Sequence, residues 1–449
     1  MACLSQKFES NFWGRALVPL ALALALAGCG GFLGASEGPP LPGERKAVLQ
    51  LDSELTADPA LAALPVILPL PTHNPDWAQA GGVPSHSVQH LALPQALTAA
   101  WVADVGRQGG DSQWLLTEPV VADGRVYAMD AGATVSAFDA AGGKRLWRVD
   151  LTPREERGGL FGGGLAFADG RLYATTPFAR VFALDAATGA EAWQSPAPAP
   201  ARASPTFSDG RLFVLTVDNQ LVAYDAGDGR RLWSHAGISE SAGLLGGAAP
   251  AVAANTVVAP YSSGELFALR AETGRVLWND NLAGVARAGA IATLADIRGR
   301  PVIDGDLVVA VSHSGIVAAI DLRSGARTWD ANVGGTESPW LAGDFIFLIS
   351  NNAELLCLTR RDGRIRWVQP LPRFENEEKR QRPIYWTGPA LAGDRLVVAG
   401  SNGEALFVAP QSGEIVGNLK LPGGAHLPPV VAGSTLYFLT DNAKLIAFR

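Results

Sequence analysis

Cysteine and positive charge are both scarce in this sequence. The 449 residues include three cysteines, and Cys3 and Cys29 lie near the N-terminus while Cys357 stands alone inside a strand pattern. A mature domain therefore has no partner cysteines for an intramolecular disulfide framework. The formal net charge of -7 leaves no clustered lysine and arginine field for phosphates. We accordingly exclude a disulfide-stapled fold and predict no nucleic-acid partner.

The sequence also lacks the usual patterns of catalytic and metal sites. The six histidines fall in different units of the chain or in its proline-rich part, and no pair has HExxH or CxxC spacing. Residues 159–164 are glycine-rich but lack the lysine and the strand-loop-helix context of a phosphate-binding loop. Residues 110–112 are similar to the region around a serine-protease nucleophile, yet no triad context accompanies them. We predict a non-enzymatic protein with no catalytic residue, no metal site and no cofactor.

The sequence does contain a recurring phrase. Its frame is alanine, a polar residue two positions later, a glycine turn and a tryptophan ten positions after the alanine, as from Ala183 to Trp193. Weaker copies run from Cys357 to Trp367 and from Phe407 to Gly417, where the tryptophan is lost. The copies recur every 40 to 50 residues or so, a period that indicates a solenoid, a propeller or an array. Their first positions are Ala137, Ala183, Ala223, Ala268, Ala319, Cys357, Phe407 and Ala447.

Each unit has the pattern of four short strands. In the first unit these are residues 119–122, 125–128, 135–138 and 146–149, and Asp123-Gly124 forms a hairpin turn. We predict an all-β, eight-bladed β-propeller of four-stranded antiparallel blades over residues 96–449. Three strands within residues 430–448 need a fourth from residues 97–105. The N-terminal strand is thus expected to complete the C-terminal blade and close the ring.

The N-terminus has the pattern of a targeting segment. Its apolar run of 12 residues, 16–27, is too short to span a bilayer of about 30 Å as a helix. Leu26-Ala27-Gly28-Cys29 resembles the bacterial lipobox, which implies a signal peptide over residues 1–28 and lipidation of Cys29. An ordinary secretory signal is the alternative. Gly30, where an aspartate would favour the inner membrane, implies the outer membrane.

Residues 29–95 are rich in proline, glycine and alanine, and we predict that they form a tether, with Trp77 packing on the propeller. Two connections, 153–162 and 373–382, are longer than a turn requires and combine mixed charges with aromatics. They are interpreted either as functional loops or as solvated surface loops.

The repeated phrase resembles the tryptophan-docking motif of quinoprotein dehydrogenases, whose eight-bladed propellers bind pyrroloquinoline quinone. In that family the tryptophan wedges between adjacent blades and the turn bonds its indole. The cofactor also needs a vicinal cysteine pair and Ca²⁺ ligands, and no two cysteines are adjacent here. A quinone-dependent oxidoreductase or sensor remains an alternative. The implied docking residues are Trp101, Trp147, Trp193, Trp233, Trp278, Trp329 and Trp367.

Lipobox, tether and propeller together resemble the BamB family of outer-membrane β-barrel assembly lipoproteins, most strongly over residues 296–449. The resemblance implies a lipid-anchored scaffold on the periplasmic face of the outer membrane. It would dock on the POTRA domains of BamA, contact other subunits of the complex and assist the folding and insertion of outer-membrane proteins. A periplasmic propeller for another envelope partner, such as a polysaccharide or a peptidoglycan component, is a further alternative.

The resemblance also implies a partner-binding patch made by two loops. Aligned on the strand-start prolines Pro250 and Pro301, these loops correspond to Leu244 with Leu245 and to Asp296 with Arg298. Leu244 and Asp296 match the family pattern. Leu245 stands where the family has arginine and Arg298 stands where it has a second acid, so the charge of the patch is rearranged.

Overall fold

Short, mostly apolar strands make up most of the described chain from residue 99 onward. The computed structural model describes residues 55–109, 115, 117–154, 162–240, 243–284 and 294–449. Those residues contain 34 β-strands and one 3-10 turn, Pro59–Leu61. Among them, no helix has both the length and the apolar character needed to cross a bilayer. The predicted all-β class is confirmed.

Eight four-stranded antiparallel sheets form the blades, as predicted. β1 (Ala99–Asp104) belongs to the last blade. The first four blades are β2 (Val120–Ala122), β3 (Arg125–Met129), β4 (Thr134–Asp139) and β5 (Arg145–Asp150); β6 (Gly164–Ala168), β7 (Arg171–Thr176), β8 (Arg180–Asp185) and β9 (Glu191–Pro196); β10 (Thr206–Ser208), β11 (Arg211–Leu215), β12 (Gln220–Asp225) and β13 (Arg231–Ala236); β14 (Ala251–Ala253), β15 (Thr256–Pro260), β16 (Glu265–Arg270) and β17 (Val276–Asn281).

The other four blades repeat this order, and the last one combines both ends of the domain. They are β18 (Val302–Asp304), β19 (Leu307–Val311), β20 (Val317–Asp321) and β21 (Arg327–Ala331); β22 (Trp340–Ala342), β23 (Phe345–Ile349), β24 (Glu354–Thr359) and β25 (Ile365–Pro370); after the hairpin β26 (Phe374–Asn376) and β27 (Gln381–Pro383), β28 (Trp386–Ala392), β29 (Arg395–Gly400), β30 (Glu404–Val408) and β31 (Ile415–Lys420); then β32 (Val430–Ala432), β33 (Thr435–Leu439), β34 (Lys444–Phe448) and β1.

The outer strand is the least buried strand of each blade. The first strands of neighbouring blades contact one another around the axis. In blade 1, β3 and β4 are buried along almost their whole length, whereas the outer strand β5 alternates between exposed and half-buried residues. Second and third strands are covered by the blades on both sides. They are therefore largely apolar, as the hydrophobic effect favours for strands that are buried on both sides.

Antiparallel pairing gives the disc two distinct faces. The turns from first to second strand and from third to fourth strand lie on one face, which we call the turn face. The turns from second to third strand and the connections between blades lie on the opposite face, which we call the loop face. All connections discussed below as a candidate site lie on the loop face.

The ring closes where the sequence predicted. β1 pairs with β34, with Val102 opposite Ile446 and Ala103 opposite Leu445. Thr98 N–H donates to the Arg449 carbonyl at 2.7 Å, and Arg449 N–H donates back at 3.0 Å. Since a ring has no terminal blade, no sheet face is left uncovered at an end.

Seven indoles join successive blades. Each lies on an outer strand and donates its Nε1–H to a turn carbonyl of the next blade, at distances of 2.7 to 3.1 Å. The ring then covers the glycine of that turn. The pairs are Trp101 with Ala140, Trp147 with Ala186, Trp193 with Ala226, Trp233 with Ala271, Trp278 with Leu322, Trp329 with Arg360 and Trp367 with Pro410.

Gly417 replaces the tryptophan at the junction between the seventh and eighth blades, and the topology explains why. In the eighth blade the third and fourth strands are β34 and β1, which are far apart in the chain, so no turn joins them that could accept an indole N–H. Arg395 bridges this junction instead. Its guanidinium donates to the carbonyls of Pro94 and Gln95 at 2.6 and 2.8 Å and lies 4.3 Å from the Phe407 ring centroid.

The prediction of a tether through residue 95 is wrong for residues 55–95, which pack on the propeller. Residues 72–93, which we call the N-terminal brace, contact the inner rim of all eight blades in ring order. Trp77 is 2% exposed. The contacts are Asn74 with Val431, Trp77 with Val121, Ala78 with Phe167, Gln79 with Phe207, Pro84 with Val252, Ser85 with Ile303, Gln89 with Trp340 and Leu91 with Leu391.

The physical reason lies in the free edge of the innermost strands. Amides of Phe167, Val252 and Ile303 point into the channel and donate to carbonyls of the brace at 2.6 to 2.8 Å. A buried amide without an acceptor is costly. Prolines do not prevent this packing, because the brace mainly supplies acceptors. Residues 29–54, the rest of the predicted tether, lie outside the described residues.

The structure describes the two long connections, 153–162 and 373–382, to different extents. Residues 155–161 of the first lie outside the described residues. The second forms the hairpin of β26 and β27, with Asn376 opposite Gln381 and Phe374 opposite Pro383. Arg382 there makes a 3.0 Å ion pair with Glu375, and both side chains are largely exposed.

Candidate partner-binding site

The four patch residues lie on two neighbouring connections of the loop face. Leu244 and Leu245 lie between β13 and β14, and Asp296 and Arg298 lie between β17 and β18. The structure brings all four into one hydrogen-bonded cluster. Two polar links hold it together, one from each residue of the second connection.

Asp296 is the buried centre of the first link. Its carboxylate is 0% exposed and accepts a hydrogen bond from Arg202 Nη2 at 2.6 Å. It also accepts the Leu244 N–H at 2.8 Å. Arg202 is only 7% exposed, so each ion of this pair depends on the other for its solvation. The pair fixes the backbone at Leu244.

Arg298 forms the second link. Its Nε donates to the Leu245 carbonyl at 2.9 Å, and its Nη1 donates to Glu337 Oε1, also at 2.9 Å. Glu337 Oε2 accepts from the Thr387 hydroxyl at 2.6 Å. This chain of contacts crosses from the fourth blade to the seventh. It holds the loop connections at fixed positions around the channel mouth.

The four patch residues differ in how far they are exposed to solvent. Leu245 is 51% exposed, and Leu244 and Arg298 are half-buried. Asp296 has no exposed surface, and its carboxylate holds the Leu244 backbone and the Arg202 guanidinium. That Asp296 belongs to a partner-binding patch stays a prediction.

An apolar groove of 450 Å³ lies beside the patch at the channel mouth. Leu244, Leu245 and Arg298 line it together with Ile384 and Tyr385. Tyr385 is 59% exposed. An open apolar groove with a few fixed polar groups is a surface suited to apolar side chains of a partner.

Comparison with known proteins decides the family. The model of the family described as outer membrane protein assembly factor BamB matches residues 98–153 and 131–369. The chain belongs to the BamB family. An outer membrane protein assembly factor BamB from Alkalilimnicola ehrlichii (strain ATCC BAA-1101 / DSM 17681 / MLHE-1) is 38% identical over 356 residues, covering 79% of this chain and 88% of that protein.

Solved structures agree with the fold of this BamB-family chain. BamB from Moraxella catarrhalis superposes with a TM-score of 0.66 at 20% identity, over 79% of this chain and 100% of that chain. A quinohemoprotein alcohol dehydrogenase from Comamonas testosteroni gives a TM-score of 0.61 at 15% identity, over 83% and 80%. At these identities the likeness shows the eight-bladed fold alone.

Sequence reasoning missed Arg202, Glu337 and Tyr385. Arg202 is 94 residues from Asp296, and Glu337 is 39 residues from Arg298, so local patterns could not pair them. Only their position in the repeat could have indicated them. All three residues lie on connections between consecutive blades, as the residues of the partner-binding patch do.

A chamber of 90 Å³ adjoins the groove, and the two cavities share Arg298, Glu337 and His426 in their linings. Trp77 and His86 of the brace line it together with the Glu118–Arg300 ion pair. His86 Nδ1 donates to the Pro301 carbonyl at 2.8 Å. Burial, together with the nearby Arg300 charge, lowers the pKa of His86 to about 3, so the imidazole is neutral near pH 7.

This chamber does not fit the quinone cofactor of the neighbouring dehydrogenases. No group of three or more His, Cys, Asp or Glu side chains in the described part of the chain could hold a metal ion. Cys357 is buried in the sixth blade. The described residues therefore offer neither the adjacent cysteine pair nor the metal ligands that the cofactor needs.

Proposed function

We propose that this chain is a non-catalytic assembly factor that works at the outer membrane by docking a partner protein on its loop face. The finer proposal is that the partner is a BamA-type assembly protein, contacted through its POTRA domains, with other subunits of the complex bound in turn. Membership of a family named for outer-membrane protein assembly supports it. So does the buried Arg202–Asp296 pair, which holds Leu244 beside an open apolar groove.

The proposed docking depends on rigidity. Leu244 and Leu245 offer apolar surface, and their backbone is fixed by Asp296 and Arg298. A preformed surface loses little conformational freedom on binding, which favours affinity. Tyr385, which lines the same groove, adds an exposed aromatic, the residue type that often dominates binding energy. We therefore propose Leu244, Leu245, Arg298 and Tyr385 as contact residues.

The proposed location is the periplasmic face of the outer membrane, with Cys29 as the lipidated anchor. The lipobox carries this part of the proposal. Metabolic labelling with a tagged fatty acid should mark the wild-type chain and leave a Cys29→Ala variant unmarked. Labelling of both would remove the anchor from the proposal.

Co-purification with the BamA-type partner from solubilised envelope tests the docking surface. Leu245→Asp should reduce recovery of the partner at least tenfold, because it places a charge at the centre of an apolar contact. Val416→Asp is the matched control, since Val416 is 60% exposed on an outer strand away from the groove. If both variants lose the partner equally, or if neither loses it, the proposed docking surface is wrong.

The same experiment addresses the remaining alternative. A tagged wild-type chain that retrieves polysaccharide or peptidoglycan, and no assembly protein, would replace the proposal with a propeller for another envelope partner.

A further inference from the structure

Three apolar side chains in one short segment on the turn face are exposed. Leu64, Ile67 and Leu70 are 37%, 71% and 86% exposed, and the last two are the most exposed large apolar side chains of the described residues. We call these three residues the apolar row. They recur every third position in a segment with prolines at 65, 69 and 71.

A spacing of three is the repeat of the polyproline II helix, which proline-rich segments favour. One face of such a segment carries residues 64, 67 and 70, and the row spans about 19 Å at about 3.1 Å per residue. The pattern of burial agrees. Val66 is buried, and Leu68 packs against the same core cluster, between the sixth and seventh blades.

The backbone of this segment is held in place, so the row cannot simply fold inward. Arg366 Nε donates to the Leu64 carbonyl at 2.8 Å, and His90 Nδ1 donates to the Pro69 carbonyl at 2.8 Å. The segment crosses the turn of the sixth blade at Gly343, where an added Cβ would lie 3.4 Å from the Ile67 carbonyl oxygen. These contacts hold three large apolar side chains in solvent.

Two observations indicate what covers the row. Residues 59–72 contain no charged side chain. The chain enters the described residues at Leu55, only 26 positions after Cys29, and Asp58 N–H donates to the Ile365 carbonyl on the turn face at 2.8 Å. A lipid at Cys29 would draw this face and this edge of the disc towards the bilayer.

We propose that the apolar row inserts into the bilayer interface as a second membrane contact, so that the turn face faces the membrane and the loop face, with Leu245, faces away. This inference rests on the lipid anchor at Cys29. Uncharged, apolar side chains suit the boundary between headgroups and acyl chains. With two attachment points the disc would have a defined orientation, whereas one lipid would let it swing.

A solvent-sensitive fluorophore tests the proposal. Ile67→Cys and, separately, Ile238→Cys are labelled with a nitrobenzoxadiazole thiol reagent on the mature lipidated chain in phosphatidylethanolamine and phosphatidylglycerol liposomes. Ile238 is the matched control, because it is 58% exposed on the loop face. Cys357 is 0% exposed and stays unlabelled in the folded chain. We expect a blue-shifted emission at position 67, quenched by doxyl-labelled lipid, and neither effect at position 238.

Liposome flotation of the same samples distinguishes the lipid anchor at Cys29 from the membrane contact of the apolar row. A chain that floats while position 67 keeps its aqueous spectrum retains the anchor and overturns the membrane contact. A chain that does not float overturns both. A shift that requires added partner protein rather than lipid would also overturn the proposal, since the row would then be a protein contact. With Leu64→Cys as the label site, Ile67→Ser with Leu70→Ser should abolish the shift.

Discussion

Trp193 covers Gly229 of the following blade so closely that a Cβ added to this glycine would lie 2.5 Å from the indole ring. The indole Nε1 also donates to the Ala226 carbonyl of the same turn at 3.1 Å. Glycine is therefore favoured here for two reasons. A side chain would collide with the indole, and the φ of 75° is one that residues with a side chain rarely adopt.

Gly229→Ala should therefore destabilise the propeller more than Gly170→Ala. Gly170 has a similar φ of 73°, but an added Cβ there would meet nothing within 4 Å. Both substitutions carry backbone strain of about 1 kcal/mol, and overlap with the indole adds roughly 1–3 kcal/mol at Gly229 alone. Urea unfolding of the two variants side by side measures the difference. Equal midpoints would show that the wedge is not tightly packed.

The N-terminal brace yields a second prediction. Trp77→Ala removes a buried ring that stacks on Trp340 with centroids 6.5 Å apart. We expect a loss of about 3–5 kcal/mol, the usual cost of truncating a buried tryptophan. Leu70→Ala, on a neighbouring part of the chain but 86% exposed, should change stability by less than about 0.5 kcal/mol.

Limited proteolysis gives the same test a local readout. Cleavage between residues 55 and 95 should become faster in Trp77→Ala than in the wild type, because the brace would detach from the ring. A variant that loses stability without faster cleavage there would place the effect elsewhere in the fold.

The Arg202–Asp296 pair yields a third prediction. Asp296→Asn removes the charge that compensates a buried guanidinium, and breaking such a pair costs about 3–5 kcal/mol. Glu375→Gln is the control, because its pair with Arg382 is largely exposed and should contribute under 1 kcal/mol. Thermal unfolding followed by circular dichroism compares them. Arg202→Met combined with Asp296→Leu should recover part of the loss, since neither buried charge remains.

The repeat was predictable from sequence and the brace was not, for reasons visible in individual residues. Glycine turns and tryptophans such as Gly189 and Trp147 recur because each junction needs the same local geometry. The brace has no repeat, since each of its residues meets a different blade, and its prolines resemble those of a linker. Asp296 looked like a surface acid because Arg202, which buries it, is distant in sequence.

His86 yields a last prediction, on acid stability. Its pKa is lowered from 6.5 to about 3 by burial and by Arg300, so the folded chain holds it neutral while the unfolded chain protonates it below pH 6.5. The unfolded state then binds more protons, and stability falls as the pH drops from 6.5 towards 3, by up to roughly 1.4 kcal/mol per pH unit. Above pH 6.5 His86 is neutral in both states, so the folded chain loses no stability through it.

The window between pH 6.5 and 5 separates this effect from that of the carboxylates, which titrate mainly below it. Burial also lowers the pKa of His235, but His235 is the same in the wild type and in the variant, so the difference between their slopes reports His86. His86→Gln should be less stable than the wild type at pH 7.5, since the contact with Pro301 changes, but its stability should vary less across that window. His73→Gln is the matched control, because His73 is exposed, and it should keep the wild-type slope. Equal slopes for His86→Gln and the wild type would mean that another group governs how the stability of the fold depends on pH.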